Sequence, residues 1–318
     1  MKTKKKLISI VSPAYNEEKN ITPIVNEVTR VMKSLSFKYD YEYILVNDGS
    51  CDNTWNEILK EAKKNKKVRG ISLSRNFGQQ LAITAGLDIA KGSAVIYFDS
   101  DLQQPPSIFP EMIKLWENGV KVVHTQRTES EDRRIFKRIF STYFYLVANF
   151  LSDTPIKKGM ADFKLLDREV YVLINKMRER NRFLRGIVPW MGFTSGTVKY
   201  RAGKRNAGVP LYNLRRNITF AKIGILSLST KPLIYIGYLG MSLTVISFIM
   251  MIISFLTMIA KSDFRYISPV LILVMFNTFL FGIVLSCLGI VALYISFLHQ
   301  EIIKRPLYLI ANKINVKK

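Results

Sequence analysis

Cysteine is almost missing from this chain. Cys51 and Cys287 are the only two in 318 residues, far apart and in unlike surroundings. They offer no disulfide framework and no cysteine-metal spacing, so a reducing compartment is the default. Acidic residues are also scarce: 24 Asp and Glu stand against 47 Lys and Arg, a formal net charge of +23. That balance suits a nucleic acid or an anionic lipid surface. Between Arg180 and Ser262 there is no acid at all. Neither GxxxxGK[ST] nor GxGxxG occurs, so a P-loop or a dinucleotide-binding fingerprint has no support. The apolar stretch Leu7–Val11, which follows a basic N-terminus, is too short for a signal peptide. The N-terminal part is therefore expected in the cytosol.

What is present is an alternation of strand-like and helix-like runs up to about residue 127. Leu7–Ser12, Tyr43–Val46, Val68–Leu73, Val95–Phe98 and Val120–Thr125 are apolar and rich in β-formers. Between them, Ile24, Val28, Val31 and Leu35 recur at helical spacing, as do Trp55, Ile58, Leu59 and Ala62, with Asp52 or Asn53 able to cap the second helix. A third helix is expected from about Gln79 to Ala90. Such alternation predicts an α/β fold with a parallel, doubly wound sheet.

The strands end in polar residues: Pro13-Ala14-Tyr15-Asn16-Glu17, Asp48, Arg75, the Asp99/Asp101 pair and Arg127. In an open α/β sheet these ends converge on one crevice. Asp99 and Asp101 repel each other, and a divalent cation removes that repulsion, with Gln103 as a neutral oxygen ligand. A solvated turn or a phosphatase carries the same short DxD signature. A phosphatase, however, would place it after the first strand of its fold, and here three strand-like runs come earlier.

Four segments in order, Ser12-Pro13-Ala14-Tyr15-Asn16-Glu17, Val46-Asn47-Asp48-Gly49-Ser50, Ser74-Arg75-Asn76-Phe77-Gly78 and Asp99-Ser100-Asp101-Leu102-Gln103, resemble the family-2 glycosyltransferases of the polyprenyl-phosphate type. The resemblance implies a GT-A fold, Rossmann-like with a mainly parallel sheet. It implies nucleotide contacts from Pro13, Tyr15, Glu17, Asp48 and Ser100, and Mg2+ or Mn2+ with pyrophosphate at Asp99, Asp101 and Gln103. Residues 159–168 are similar to a further family segment, in which the acid matching Asp162 sits beside donor sugar and acceptor phosphate. Asp167 and Arg168 are expected to form an ion pair at a helix start. One departure stands out. The family places a Lys where this chain has Leu211, which carries no charge and donates no hydrogen bond. Pyrophosphate neutralisation then falls to Arg205, with Arg127 or Lys204 in support, or the activity departs from the family's.

Asp132 to Leu151 mixes basic and aromatic residues in an amphipathic pattern, as a core helix or one lying among lipid headgroups. Arg180, Arg182 and Arg185 open a basic stretch running to Lys231, expected to face anionic lipid. Leu233–Ala260 and Tyr266–Leu298 contain no charge, and each exceeds the roughly 20 residues needed to span a bilayer. The expected layout is a cytosolic domain over 1–231 and a membrane hairpin over 232–318. Basic flanks put both termini in the cytoplasm of a multi-pass protein of the cell membrane.

The expected activity is inverting transfer of a hexose from a nucleotide sugar, UDP-linked, to a polyprenyl phosphate at the cytosolic face. Asp99, Asp101, Asp162 and Arg127 are its candidate catalytic residues. The rival readings are a catalytically impaired scaffold or flippase partner, suggested by Leu211, a processive polysaccharide synthase, for which the Gln-x-x-Arg-Trp motif is missing, and a nucleic-acid binder, which rests on charge alone. No nucleic-acid partner is expected, and self-association is left open.

Overall fold

The computed structural model describes residues 5–128, 160–180, 182–203 and 269–316, together with 233–236, 238, 241–243, 245, 246 and 249. The expected amphipathic helix of 132–151, Arg205, Leu211, the basic residues 204–231 and most of the first expected span lie outside them.

Strands β1 (Lys6–Ala14), β2 (Tyr39–Asn47), β3 (Val68–Leu73) and β4 (Ala94–Tyr97) alternate with helices α1 (Glu18–Ser34), α2 (Thr54–Lys64) and α3 (Gln79–Ile89). After a single 3-10 turn come α4 (Phe109–Glu117), β5 (Val122–Arg127), β6 (Met160–Asp167), α5 (Arg168–Lys176), α6 (Leu184–Trp190) and β7 (Ser195–Tyr200). A long helix, α7 (Pro269–Ile302), and a last strand, β8 (Ile310–Ile314), follow. The five strands and three helices expected up to residue 127 are all found, most of them one to three residues longer or shorter.

All eight strands form one sheet in the order β7-β5-β6-β4-β1-β2-β3-β8. The pairs β1/β2, β1/β4, β2/β3 and β5/β7 are parallel. The expected parallel sheet is therefore corrected to a mixed one: β6 runs antiparallel between β4 and β5, and β8 is an antiparallel edge beside β3. The antiparallel β6 has a functional consequence. It brings its N-terminal end, not its C-terminal end, to the edge where β1, β2, β3, β4 and β5 finish. The order reverses about β1, with β2 on one side and β4 on the other, which makes the β1/β4 boundary the switch point where such sheets bind ligands.

Both faces of the sheet are covered. Ile8, Ile10, Leu45, Ile96 and Phe163 pack one way against α1, α2 and α4. Val11, Val46, Val95, Val122 and Leu166 pack the other way against α3, α5 and α6. Each such fully buried aliphatic side chain contributes on the order of 2 kcal/mol, and burial on both faces explains why the central strands read as continuous apolar runs.

Helix α7 contains the apolar window Phe279–Ser296, none of it buried, long and apolar enough to cross a membrane. Past its end the chain turns back to the sheet. Arg180 donates through its backbone N–H to Glu301 Oε1 and through Nη2 to the Arg305 carbonyl, both at 2.6 Å. Tyr308 donates to Asp88 Oδ2 at 2.5 Å, and β8 then pairs with β3.

Candidate active site

The loop after β2 is built around Asp48. Its two carboxylate oxygens accept from the backbone N–H groups of Phe77 at 2.8 Å and Gly78 at 2.9 Å, which pins the loop after β3. Gly49 makes this approach possible. It has φ +65, and a Cβ there would meet the Arg75 carbonyl carbon at 2.2 Å. Burial pushes the Asp48 carboxyl up to about 6, against the pull of those N–H groups and of Arg75. In the loop after β1, the Glu17 carboxylate is buried and accepts from Asn20 Nδ2, while its N–H donates to Thr54 Oγ1 at 2.8 Å. Tyr15 is half-buried next to Asn16, whose φ of 56 turns the chain out of β1.

The DxD turn leaves β4 one strand away. Ser100 donates to the Pro13 carbonyl at 2.9 Å and so joins the ends of β1 and β4. Gln103 N–H closes on Asp101 Oδ1 at 3.1 Å. Leu102 takes the left-handed backbone at φ 64, a strain that persists in a bulky side chain only where the surroundings impose it. Part of that imposition comes from the segment after β7. Gly203 N–H donates to the Gln103 carbonyl at 3.1 Å, and a Cβ on Gly203 would stand 2.9 Å from the Leu102 carbonyl oxygen.

Asp99 is gripped by two glutamines. Gln79 Nε2 donates to Oδ1 and Gln104 Nε2 to Oδ2, while Gln104 Oε1 accepts the Asp99 N–H at 2.8 Å. Burial first, then repulsion from Asp101 and Asp162, pushes the Asp99 carboxyl up to about 8. A cation beside the pair would reverse that shift, and Asp99, Asp101 and the Gln103 amide are a donor set of the kind Mg2+ takes when phosphate and water complete its shell. Among the described residues no three His, Cys, Asp or Glu side chains form a metal cage. The residues present fit a cation shared with substrate rather than a closed structural site.

Asp162 enters from β6. It is buried, with Oδ2 held by Gln80 Nε2 at 3.1 Å and by Arg185 Nη2 at 2.8 Å. Burial works against its charge, but the Arg185 guanidinium outweighs it and holds the carboxyl below the usual range. Gln80 also accepts the Leu184 N–H at 3.1 Å, which fastens the start of α6 to α3. Asp162 Oδ1 has no hydrogen-bond partner among the described residues. Arg127 stands exposed at the end of β5, opposite Tyr200.

Two expectations are corrected. Arg182 and Arg185 do not face lipid. Arg182 is buried and donates to the Ile174 carbonyl, and Arg185 sits on Asp162, because α6 folds back over the sheet. Asp167 and Arg168 form no ion pair. Asp167 caps α5 through the Glu169 N–H and binds Trp116 Nε1 and Lys121, while Arg168 donates to the Lys91 carbonyl. Gln79, Gln80, Gln104 and Arg185 were missed as site residues. Only the tertiary contacts single them out, since two glutamines at a helix start, one in a turn and an arginine in a basic stretch carry no signature of their own.

A model of "Glycosyl transferase family 2" matches residues 9–174. An uncharacterized glycosyltransferase of Bacillus subtilis (strain 168) is 35% identical, covering 97% of this chain and 94% of its own. A bactoprenol glucosyl transferase of Shigella phage SfV is 35% identical, covering 96% of this chain and 98% of its own. Among solved structures, a mannosyltransferase of Pyrobaculum calidifontis in complex with GDP-Man and Mn2+ is similar at a TM-score of 0.44 and 17% identity, over 64% of this chain and 59% of that one.

Proposed function

The chain belongs to glycosyl transferase family 2, and from that premise we propose that it moves a hexose from a UDP-sugar to a polyprenyl phosphate at the cytosolic face of a membrane, with inversion. The observation that carries the reading is the meeting of Asp99, Asp101 and Asp162 at the β1/β4 switch point, within electrostatic reach of one another. The nature of the acceptor is supported by the bactoprenol glucosyl transferase relative, which matches nearly end to end. It is supported too by α7, whose exposed apolar window leaves the sheet through the Arg180 contacts.

The nucleotide would lie against Pro13, Tyr15, Glu17, Asp48 and Ser100, with Asp48 holding the loop that walls it. Asp99, Asp101 and Gln103 would hold Mg2+ or Mn2+, whose chemistry is to neutralise the leaving diphosphate as a Lewis acid. Arg205, with Arg127 or Lys204 in support, would share that charge. The acceptor phosphate attacks the anomeric carbon from the face opposite the diphosphate. One carbon–oxygen bond forms as the other breaks, and UDP leaves. A phosphate with a second pKa of about 6 is already ionised at neutral pH, so the step needs no strong general base. Asp162 would orient the reactants, its Oδ1 accepting from a sugar hydroxyl. The remaining layout follows the charge-free runs: two spans over about 233–260 and 266–298, with both termini cytoplasmic.

The test is to incubate membranes containing the protein with a panel of radiolabelled nucleotide sugars and follow label into the lipid fraction. One UDP-hexose is expected to label it. Asp101→Asn is expected to abolish labelling while leaving the melting temperature unchanged. Near-normal turnover in that variant would remove the metal assignment.

A further inference from the structure

One charged side chain in the sheet has no place in the scheme above. Lys164 lies in the middle of β6 and is fully buried. Its register partners are Tyr97 on β4 and His124 on β5, and it shares the face of β6 that carries Asp162, two residues away. Neither Lys164 Nζ nor the Tyr97 hydroxyl has a hydrogen-bond partner among the described residues. An ammonium buried without a partner costs several kcal/mol, and a methionine of similar length would serve the core better. The position is therefore not explained by stability.

The surrounding charges suggest what does explain it. Lys164 interacts electrostatically with Asp162 and with Arg185. Two cations thus share one carboxylate, and one oxygen of that carboxylate is itself unpartnered. Lys164 and Arg185 offset part of the negative charge of Asp99, Asp101 and Asp162, which meet there in a medium that screens charge poorly, and so lower the repulsion met by an incoming anion. This rests on the transferase reading of the same site, in which both substrates arrive as phosphates.

We propose that Lys164 is a positioning residue for substrate phosphate: its buried ammonium, acting with Arg185 around Asp162, biases the crevice floor toward a phosphate ester anion. The donor's diphosphate and the acceptor's monophosphate share that chemistry, and separate kinetics tell them apart.

The experiment measures KM for the UDP-sugar and for a short-chain prenyl phosphate, in wild type, Lys164→Met and Lys164→Arg, from pH 6 to 9.5. Lys164→Met is expected to melt no lower than wild type, since an unpaired buried charge has been removed. Its KM for one substrate is expected to rise about tenfold with a much smaller change in kcat. A rise for the prenyl phosphate assigns the acceptor, and a rise for the UDP-sugar assigns the donor. Burial pulls the Lys164 ammonium down to about 8, against the attraction of Asp162. Wild type should therefore lose affinity, relative to Lys164→Arg, which stays charged, as pH rises through that value. Of the other groups nearby, Tyr97, Asp162 and Arg185 keep their charge states across this range. Asp99 titrates near 8 in wild type and in Lys164→Arg alike, so that only the difference between those two profiles is assigned to Lys164, and a His124→Gln variant that retains the difference removes the imidazole from the account. A KM in Lys164→Met within twofold of wild type for both substrates would overturn the proposal. Should that variant not fold, a wild-type profile indistinguishable from that of Lys164→Arg would do the same. A wild type that transfers sugar from no donor would refute the functional reading itself, and this with it.

Discussion

Single side chains carry the chemistry, and their environments set their charge. Asp162 is the clearest case. Its ionisation depends on Arg185, and the two cations near it depend in turn on its carboxylate. Asp162→Asn leaves both without a counter-charge, so a loss of about 3 kcal/mol is expected, read as a lower urea midpoint, together with loss of transfer. Asp48 gives a pH dependence of opposite kind. Its folded carboxyl titrates near 6, above the ordinary value. Between about 4 and 6 the native state therefore binds the extra proton. The contribution of Asp48 to stability is fully present below about pH 4 and is lost as pH rises through 6. Asp48→Asn should flatten that part of the stability-versus-pH curve, and an unchanged slope would remove the assignment. Asp48, Asp99 and Asp101 were legible from strand-end position, and Asp162 only from the family resemblance of its segment. Their glutamine partners were not, because Gln79 and Gln104 reach Asp99 from two separate elements.

At the scale of elements, one strand direction decides the site. Had β6 run parallel to β4, Asp162 would lie at the far edge of the sheet from Asp99. Residues 160–167, interrupted by Asp162 and Lys164, read from sequence only as a family-like segment and not as a strand, and nothing in them marks a direction. The segment after β7 matters for a similar reason: it backs the DxD turn at Gly203. Gly203→Ala puts a methyl group 2.9 Å from the Leu102 carbonyl oxygen. A shift of the Asp101–Gln103 turn is expected, with kcat/KM falling on the order of tenfold, because sub-ångström placement of reacting groups governs rate. The melting temperature should move little. A variant of full activity would show that the turn does not rest on this contact.

The whole molecule joins a crevice to an apolar helix. The end of α7 is tied to the sheet domain through Glu301, Arg305 and Tyr308, and the chain after it completes the sheet as β8. If the two charge-free runs form a hairpin with both termini inside, residues 261–265 face outward. In a chain with Cys51 and Cys287 replaced by serine, Ser262→Cys should react with a membrane-impermeant maleimide added to intact cells, and a cysteine at Ser50 should react only after lysis. Labelling of the Ser50 position in intact cells would reverse the topology.

The sequence by itself determined the class of fold, the positions of the first five strands, the acids at their ends and the apolar length of the last helix. These follow from local rules: burial on both faces demands continuous apolar strands, and turns collect polar residues. Only the tertiary structure decided that β6 is antiparallel, that Arg185 turns inward to Asp162, and that Lys164 lies buried near them with no hydrogen-bond partner among the described residues. Each of these depends on contacts between residues distant in the chain, whose free energies are settled by packing and charge rather than by neighbours in sequence.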